Sequence, residues 1–148
     1  AKSRRGPPGC GASRRYRTVT ERRRALFRKA RRALEAGRRA FNEADSETAS
    51  DRAYYAVYYA AWGLLDLVGV PRPKTHHGLI AEFSRCYVKE KRVTIEVGAT
   101  LSRLQNLRLV ADYTLEPVPL VDAGRAITEA ERFIAIAEGI EASAIDVP

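Results

Sequence analysis

The sequence predicts an all-α protein, an up-and-down bundle of about five helices, and three observations carry the prediction. Apolar residues recur at spacings of three and four through most of the chain, which is the period of one helix face. No segment alternates apolar and polar residues as a half-buried strand does. Short Gly/Pro stretches separate several of the helical patterns, so the connections favour antiparallel neighbours. A chain of 148 residues fits one domain, large enough to hide about 70% of its unfolded surface.

Taken in order, the opening AKSRRGPPGCGASRRYR mixes Gly, Pro, Ser and Arg with almost no large apolar residue. It cannot supply the burial that offsets ordering entropy, so residues 1–19 are predicted to be a flexible basic arm. The bundle is expected over 20–141 and a short tail over 142–148. In the first helix, capped by Thr20, Leu26, Ala30, Ala33, Leu34, Gly37 and Phe41 share one face. Arg24, Arg28, Lys29, Arg31, Arg32, Arg38 and Arg39 fall outside that arc, which makes the outer face cationic. The second helix opens near Ser46 or Ser50 and runs to about Val68, with a seam of Ala49, Ala53, Ala56, Ala60, Leu64 and Leu67 that permits close packing.

Gly69 and the prolines of VPRPKTHHG stop that helix, and Thr75 is placed to cap a third one carrying Leu79, Ile80, Phe83 and Tyr87. The fourth is expected from about Val93, with Val97, Leu101, Leu104, Leu107 and Ala111 inward, ending before Pro117 and Pro119. The fifth turns Val121, Gly124, Ile127, Ala130, Phe133, Ile136, Ala137 and Ile140 inward.

Charge and cysteine usage bound the function. The net charge of +8 divides unevenly: through Arg39 there are 15 Lys/Arg against two acidic residues, and beyond it 11 against 16. A basic N-terminal part ahead of an acidic body suggests a polyanion partner, since clustered cations bind phosphates without reading sequence. Cys10 and Cys86 stand far apart, which forms neither a disulfide framework nor a metal-ligand cluster and fits a reducing compartment. The longest apolar stretch, around Ala53 to Val70, holds four tyrosines and Asp66, short of the roughly 20 apolar residues that a membrane span needs. A cytoplasmic protein is expected, with no metal, cofactor or membrane association.

Candidate chemistry lies on two helices. In SDRAYYAVYYAAWGLL, Tyr54, Tyr55, Tyr58, Tyr59 and Trp62 wrap an alanine seam. Core and dimer packing is the favoured account of these rings, and a base-stacking or nucleotide site the other. Asp51 and Arg52 before them read equally as an architectural ion pair. In RLVADY, Arg108 and Asp112 are four apart and share a side, with Tyr113 one residue on. Arg108 suits a phosphate as a planar fork or an intrahelical pair with Asp112. His76 and His77 lack Cys, Asp or Glu at ligand spacing, so capping or packing is expected of them rather than zinc binding. No glycine loop for phosphates and no nucleophile motif is present.

Four pieces, SDRAYYAVYYAAWGLL, GVP, THHGLIAEF and LQNLRLVADY, resemble in their order and spacing the HEPN domain family of bacteria and archaea over about Thr20 to Ile140. The resemblance implies a helical homodimer often encoded beside a minimal nucleotidyltransferase as a toxin–antitoxin pair. It also implies a ribonuclease motif in which Arg is followed after four to six residues by His, and here Arg108 matches the arginine while Tyr113 stands where His is expected. A phenol, with a pKa of about 10, shuttles protons poorly at neutral pH. The expectation is therefore a binding partner for a nucleotidyltransferase, holding a nucleotide or RNA with Arg52, Tyr54, Tyr55, Arg108, Asp112 and Tyr113. The alternative is a metal-independent endoribonuclease toxin using Arg108 and Tyr113, or a histidine brought from the third helix. In related toxins a tyrosine close behind the motif accepts nucleotidyl groups, which makes Tyr113 a candidate modification site.

Overall fold

In a computed structural model of the protein, which describes residues 18–145, the chain forms α1 (Val19–Asn42), α2 (Ser46–Leu67), α3 (His76–Phe83), α4 (Ile95–Tyr113) and α5 (Leu120–Ile145). A π-helical turn, Ser84–Val88, follows α3 directly. There is no strand among the described residues. The predicted basic arm, Cys10 included, lies outside them except for its last two positions, and α5 runs on to Ile145, past the expected boundary at 141.

Side-chain caps set the helix starts. Two threonines precede Glu21, and the three-residue spacing selects Thr18 rather than Thr20. Thr18 Oγ1 accepts from the Glu21 amide at 3.1 Å, while the Glu21 carboxylate accepts from the Thr18 amide at 3.2 Å, closing a capping box. The second helix opens at Ser46, one of the two expected starts, and Asp45 caps it by accepting from the Thr48 amide at 3.1 Å; the side-chain and backbone hydrogen bonds with Thr48 hold its carboxyl below the usual range. Thr75 caps α3 as expected, and Thr94 starts α4 at Ile95. Gly69 adopts φ 76° in the turn after α2, a conformation that costs glycine little.

The second helix is the axis of the bundle and packs against all four others. Ala49, Ala53, Ala56 and Ala60 on it are fully buried, which lets neighbouring backbones come close. At Gly63 the approach is closest: a Cβ there would meet the Phe27 ring of α1 at 2.8 Å. Tyr87, carried inward by the π turn, donates to the Leu64 carbonyl, and burial pushes its phenol up to about 12. Val121, expected to face inward, is exposed, and Ala123 and Ile134 are buried on α5.

Helix packing also explains part of the charge asymmetry. On α1, Arg31 pairs with Glu138 and Arg38 with Glu131 at 2.8 Å, both on α5. Arg28, Lys29, Arg32 and Arg39 remain exposed and have no carboxylate partner among the described residues. No described helix is long and apolar enough to cross a membrane.

Candidate functional site

Three helices bring their polar residues to one place. Near its start α2 supplies Asp51, Arg52, Tyr54 and Tyr55, the first residue of α3 is His76, and α4 contributes Arg108 and Asp112. Asp51 is the joint. Its carboxylate accepts from Arg108 Nε at 3.2 Å and from Arg52 Nε and Nη2 at 3.1 and 2.8 Å. Asp112, one turn beyond Arg108, lies 3.6 Å from the same Nε. Both acids therefore grip one edge of the Arg108 guanidinium, and its two terminal nitrogens have no hydrogen-bond partner among the described residues.

The rings around this edge are aromatic. Arg108 lies over Tyr55 at 5.1 Å and over Tyr54 at 5.5 Å, and Arg52 lies over Tyr55 at 5.1 Å, within cation–π range. Tyr54 is fully buried and stacks on His76 with centroids 5.5 Å apart. Its hydroxyl and His76 Nδ1 share a hydrogen bond, in which the phenol donates when Nδ1 is bare and the imidazole donates when Nδ1 is protonated. Burial drives the Tyr54 phenol well above its ordinary range, although Arg108 opposes this, so Tyr54 keeps its proton. Burial, then Arg108 and Arg72, hold the His76 ring below its ordinary value, which leaves it neutral at pH 7.

Of the six residues singled out from the sequence, Arg52, Tyr54, Tyr55, Arg108 and Asp112 come together. Tyr113 ends α4, is 81% exposed, and joins none of the hydrogen bonds, ion pairs or ring contacts of the cluster. Five residues turn a helix through about 500°, so it projects roughly 140° away from Arg108. His76, for which packing was expected and which the nuclease alternative allowed as a histidine from the third helix, does pack on Tyr54, because the turn after Gly69 folds α3 back onto α2. No described group of His, Cys, Asp or Glu is arranged to hold a metal ion.

A model of the HEPN domain matches residues 24–140, a span that contains every residue of the cluster. The chain belongs to the HEPN domain family. Two relatives come from Methanocaldococcus jannaschii and are named as candidate toxins. One is 37% identical over 83 residues, covering 56% of this chain and 61% of that protein. The other is 31% identical over 88 residues, covering 60% and 59%. The chain thus spans about three fifths of the length of each. A UPF0332 protein of Gloeobacter violaceus is 30% identical over 114 residues, 76% of this chain and 90% of its own.

Proposed function

We propose that this HEPN protein is a dimeric module that binds a nucleotide or RNA around Arg108 and acts beside a minimal nucleotidyltransferase in a toxin–antitoxin-like system. In this reading the chemistry belongs chiefly to the partner. The observation that carries it is the Arg108 guanidinium, pinned along one edge by Asp51 and Asp112 and open at its terminal nitrogens beside two tyrosine rings. Such a fork takes two phosphate oxygens, and of the two rings the half-buried Tyr55 is the one placed to flank a base, while the fully buried Tyr54 supports it from below. The candidate-toxin names of two relatives favour the same setting. Fluorescence titration of labelled RNA tests it: Arg108→Ala, with helicity and molar mass unchanged, is expected to bind much more weakly, and equal binding by a folded variant refutes the site. Co-purification with the product of a neighbouring nucleotidyltransferase gene checks the partner.

One observation favours a second reading, metal-independent RNA cleavage. His76 shares the Tyr54 ring with Arg108, so a proton carrier and an anion stabiliser stand on one aromatic support. With Nδ1–H toward Tyr54, His76 Nε2 is free to take the proton of a 2′-hydroxyl. That oxygen attacks the adjacent phosphorus, the P–O5′ bond breaks, the 5′-oxygen takes a proton from water as the imidazolium returns its own to solvent, and Arg108 holds the charge that develops on the phosphorane. Incubating RNA with the protein in EDTA decides it: 2′,3′-cyclic phosphate ends that vanish with His76→Gln support cleavage, and intact RNA leaves binding alone. The exposed Tyr113 is accessible as a nucleotidyl acceptor, its phenol oxygen displacing pyrophosphate from a nucleoside triphosphate; a mass increase lost in Tyr113→Phe identifies it.

A further inference from the structure

Beyond the Arg108 cluster, the outer edge of α2 repeats one arrangement along its length. Tyr55, Tyr59 and Trp62 stand at i, i+4 and i+7 on one side of the helix, all half-buried, and span about 10 Å. Tyr55 and Tyr59 are 6.0 Å apart between ring centroids, and Tyr58 links Tyr59 to Trp62 at 5.6 and 6.3 Å. Each ring of the row carries a cation. Besides Arg52 and Arg108 over Tyr55, Lys29 sits 4.8 Å over Tyr59 and Arg72 sits 4.3 Å over Trp62. These cations come from α1, α2, α4 and the turn before α3, so no single helix face produces the pattern. Lys29 and Arg72 are exposed and have no carboxylate partner among the described residues. Along α1, Arg28, Lys29, Arg32 and Arg39 fall within an arc of about 100°, which continues the positive charge beside the row.

We propose that this row of cation-bearing rings is a track for single-stranded RNA, which leads a strand along α2 into the Arg108 site. The proposal rests on the nucleotide- or RNA-binding reading of that site. Tilted and edge-on rings, each with a cation over it, match a strand whose bases are unstacked and whose phosphates stay within reach of those cations. A duplex does not fit, because its bases are already stacked on one another and present only edges. A second copy of the chain fits poorly as well. A two-fold contact sets two copies of one net-positive surface against each other, and that repulsion opposes it.

The test uses the full chain and oligouridylate of about ten nucleotides. Trp62 is the only tryptophan, so its fluorescence reports the far end of the track directly. The expected result is saturable quenching of Trp62 by the single strand, with a duplex of equal length bound at least about tenfold more weakly. Tyr59→Leu, which keeps bulk but removes the π face, is expected to weaken binding about 5- to 100-fold. The exposed Lys29→Ala and Arg72→Ala, which do not threaten the core, each lower affinity and flatten its salt dependence. If Arg108→Ala loses binding while Lys29→Ala, Arg72→Ala and Tyr59→Leu bind as wild type and Trp62 is not quenched, the track is refuted and the Arg108 site stands. If the unaltered protein binds neither strand form, both fall. A shift from dimer to monomer in Tyr59→Leu or Arg72→Ala assigns the row to a contact between copies and overturns the proposal.

Discussion

At opposite ends of α2, Asp51 and Asp66 each hold two arginines, and the two groups have taken different roles. Asp66 pairs with Arg22 and Arg23 of α1, and its side chain is only 5% exposed. Asp51 pairs with Arg52 on its own helix and Arg108 on α4, and is 32% exposed. Around Asp66 the chain is packed: Leu64 and Leu65 are buried, and both Asp66 Oδ2 and Arg23 Nε are closed from solvent without a hydrogen bond. Around Asp51 there are tyrosine rings, a neutral histidine and an arginine with open nitrogens. Equal pair chemistry thus gives a staple where water is excluded and a presentable cation where it is not.

The largest effect expected from this contrast is on stability. Asp66→Asn leaves Arg23, 13% exposed at its side chain, without its counter-charge, whereas Arg22, at 48%, is rescued by solvent. A loss of about 3 kcal/mol is expected, at the low end for a broken buried pair, or about 6–12 °C in Tm for a chain of this size. Asp51→Asn is expected to change stability by less than about 1 kcal/mol. Thermal denaturation of the two variants side by side measures the difference, and equal losses break the comparison.

Next in size is the effect of Arg108 on binding. Its replacement by Ala leaves Asp51 paired with Arg52, so the fold is kept. Loss of a charge-assisted contact of about 1.5–3 kcal/mol weakens RNA binding by about 10- to 100-fold. Arg22→Ala, which removes the corresponding cation at the other end, is expected to leave RNA affinity within about twofold while lowering Tm. Anisotropy titrations of both variants at low salt check the pair.

Much of this contrast is invisible in the sequence. The inward faces of α1, α2 and α4 are legible because burial on one side of a helix imposes its period on the residues. Arg108 and Asp112 are legible as a pair for the same reason, since both lie on one helix one turn apart. Asp66 reads only as a break in an apolar run; that α1 brings two arginines to it is a long-range fact without a local signature. A third-helix histidine is legible as a candidate, but the contact of His76 with Tyr54 is not, because it depends on the path from Gly69 to Thr75. The Thr18 cap could have been found from the T-x-x-E spacing.

A smaller effect belongs to pH. His76 is held below its ordinary value, so the unfolded chain binds the proton more readily. Stability from the neutral ring is complete above about pH 6.5 and declines as pH falls below it. A bound phosphate works in the opposite direction, since it favours imidazolium. RNA affinity is therefore expected to rise as pH falls from 7.5 toward 5.5, by about threefold for a contact of roughly 0.5–1 kcal/mol. His76→Gln flattens both slopes, in denaturation and in binding, if the ring is the group responsible. An unchanged binding slope in that variant removes His76 from the site.

The smallest predicted effect is the sharpest test of what the acids do beside Arg108. Asp112 is 47% exposed on its side chain and sits 3.6 Å from Arg108 Nε, whereas Asp51 is within hydrogen-bond distance of the same atom. If Asp51 alone sets the guanidinium plane, Asp112 contributes little more than a negative charge near an incoming phosphate. Asp112→Asn then changes stability by less than about 0.5 kcal/mol and raises RNA affinity by about twofold at low salt, a gain that fades as salt screens it. If affinity instead falls in Asp112→Asn, both carboxylates are needed to aim Arg108. The open cluster would then depend on fixed geometry as strictly as the buried one around Asp66.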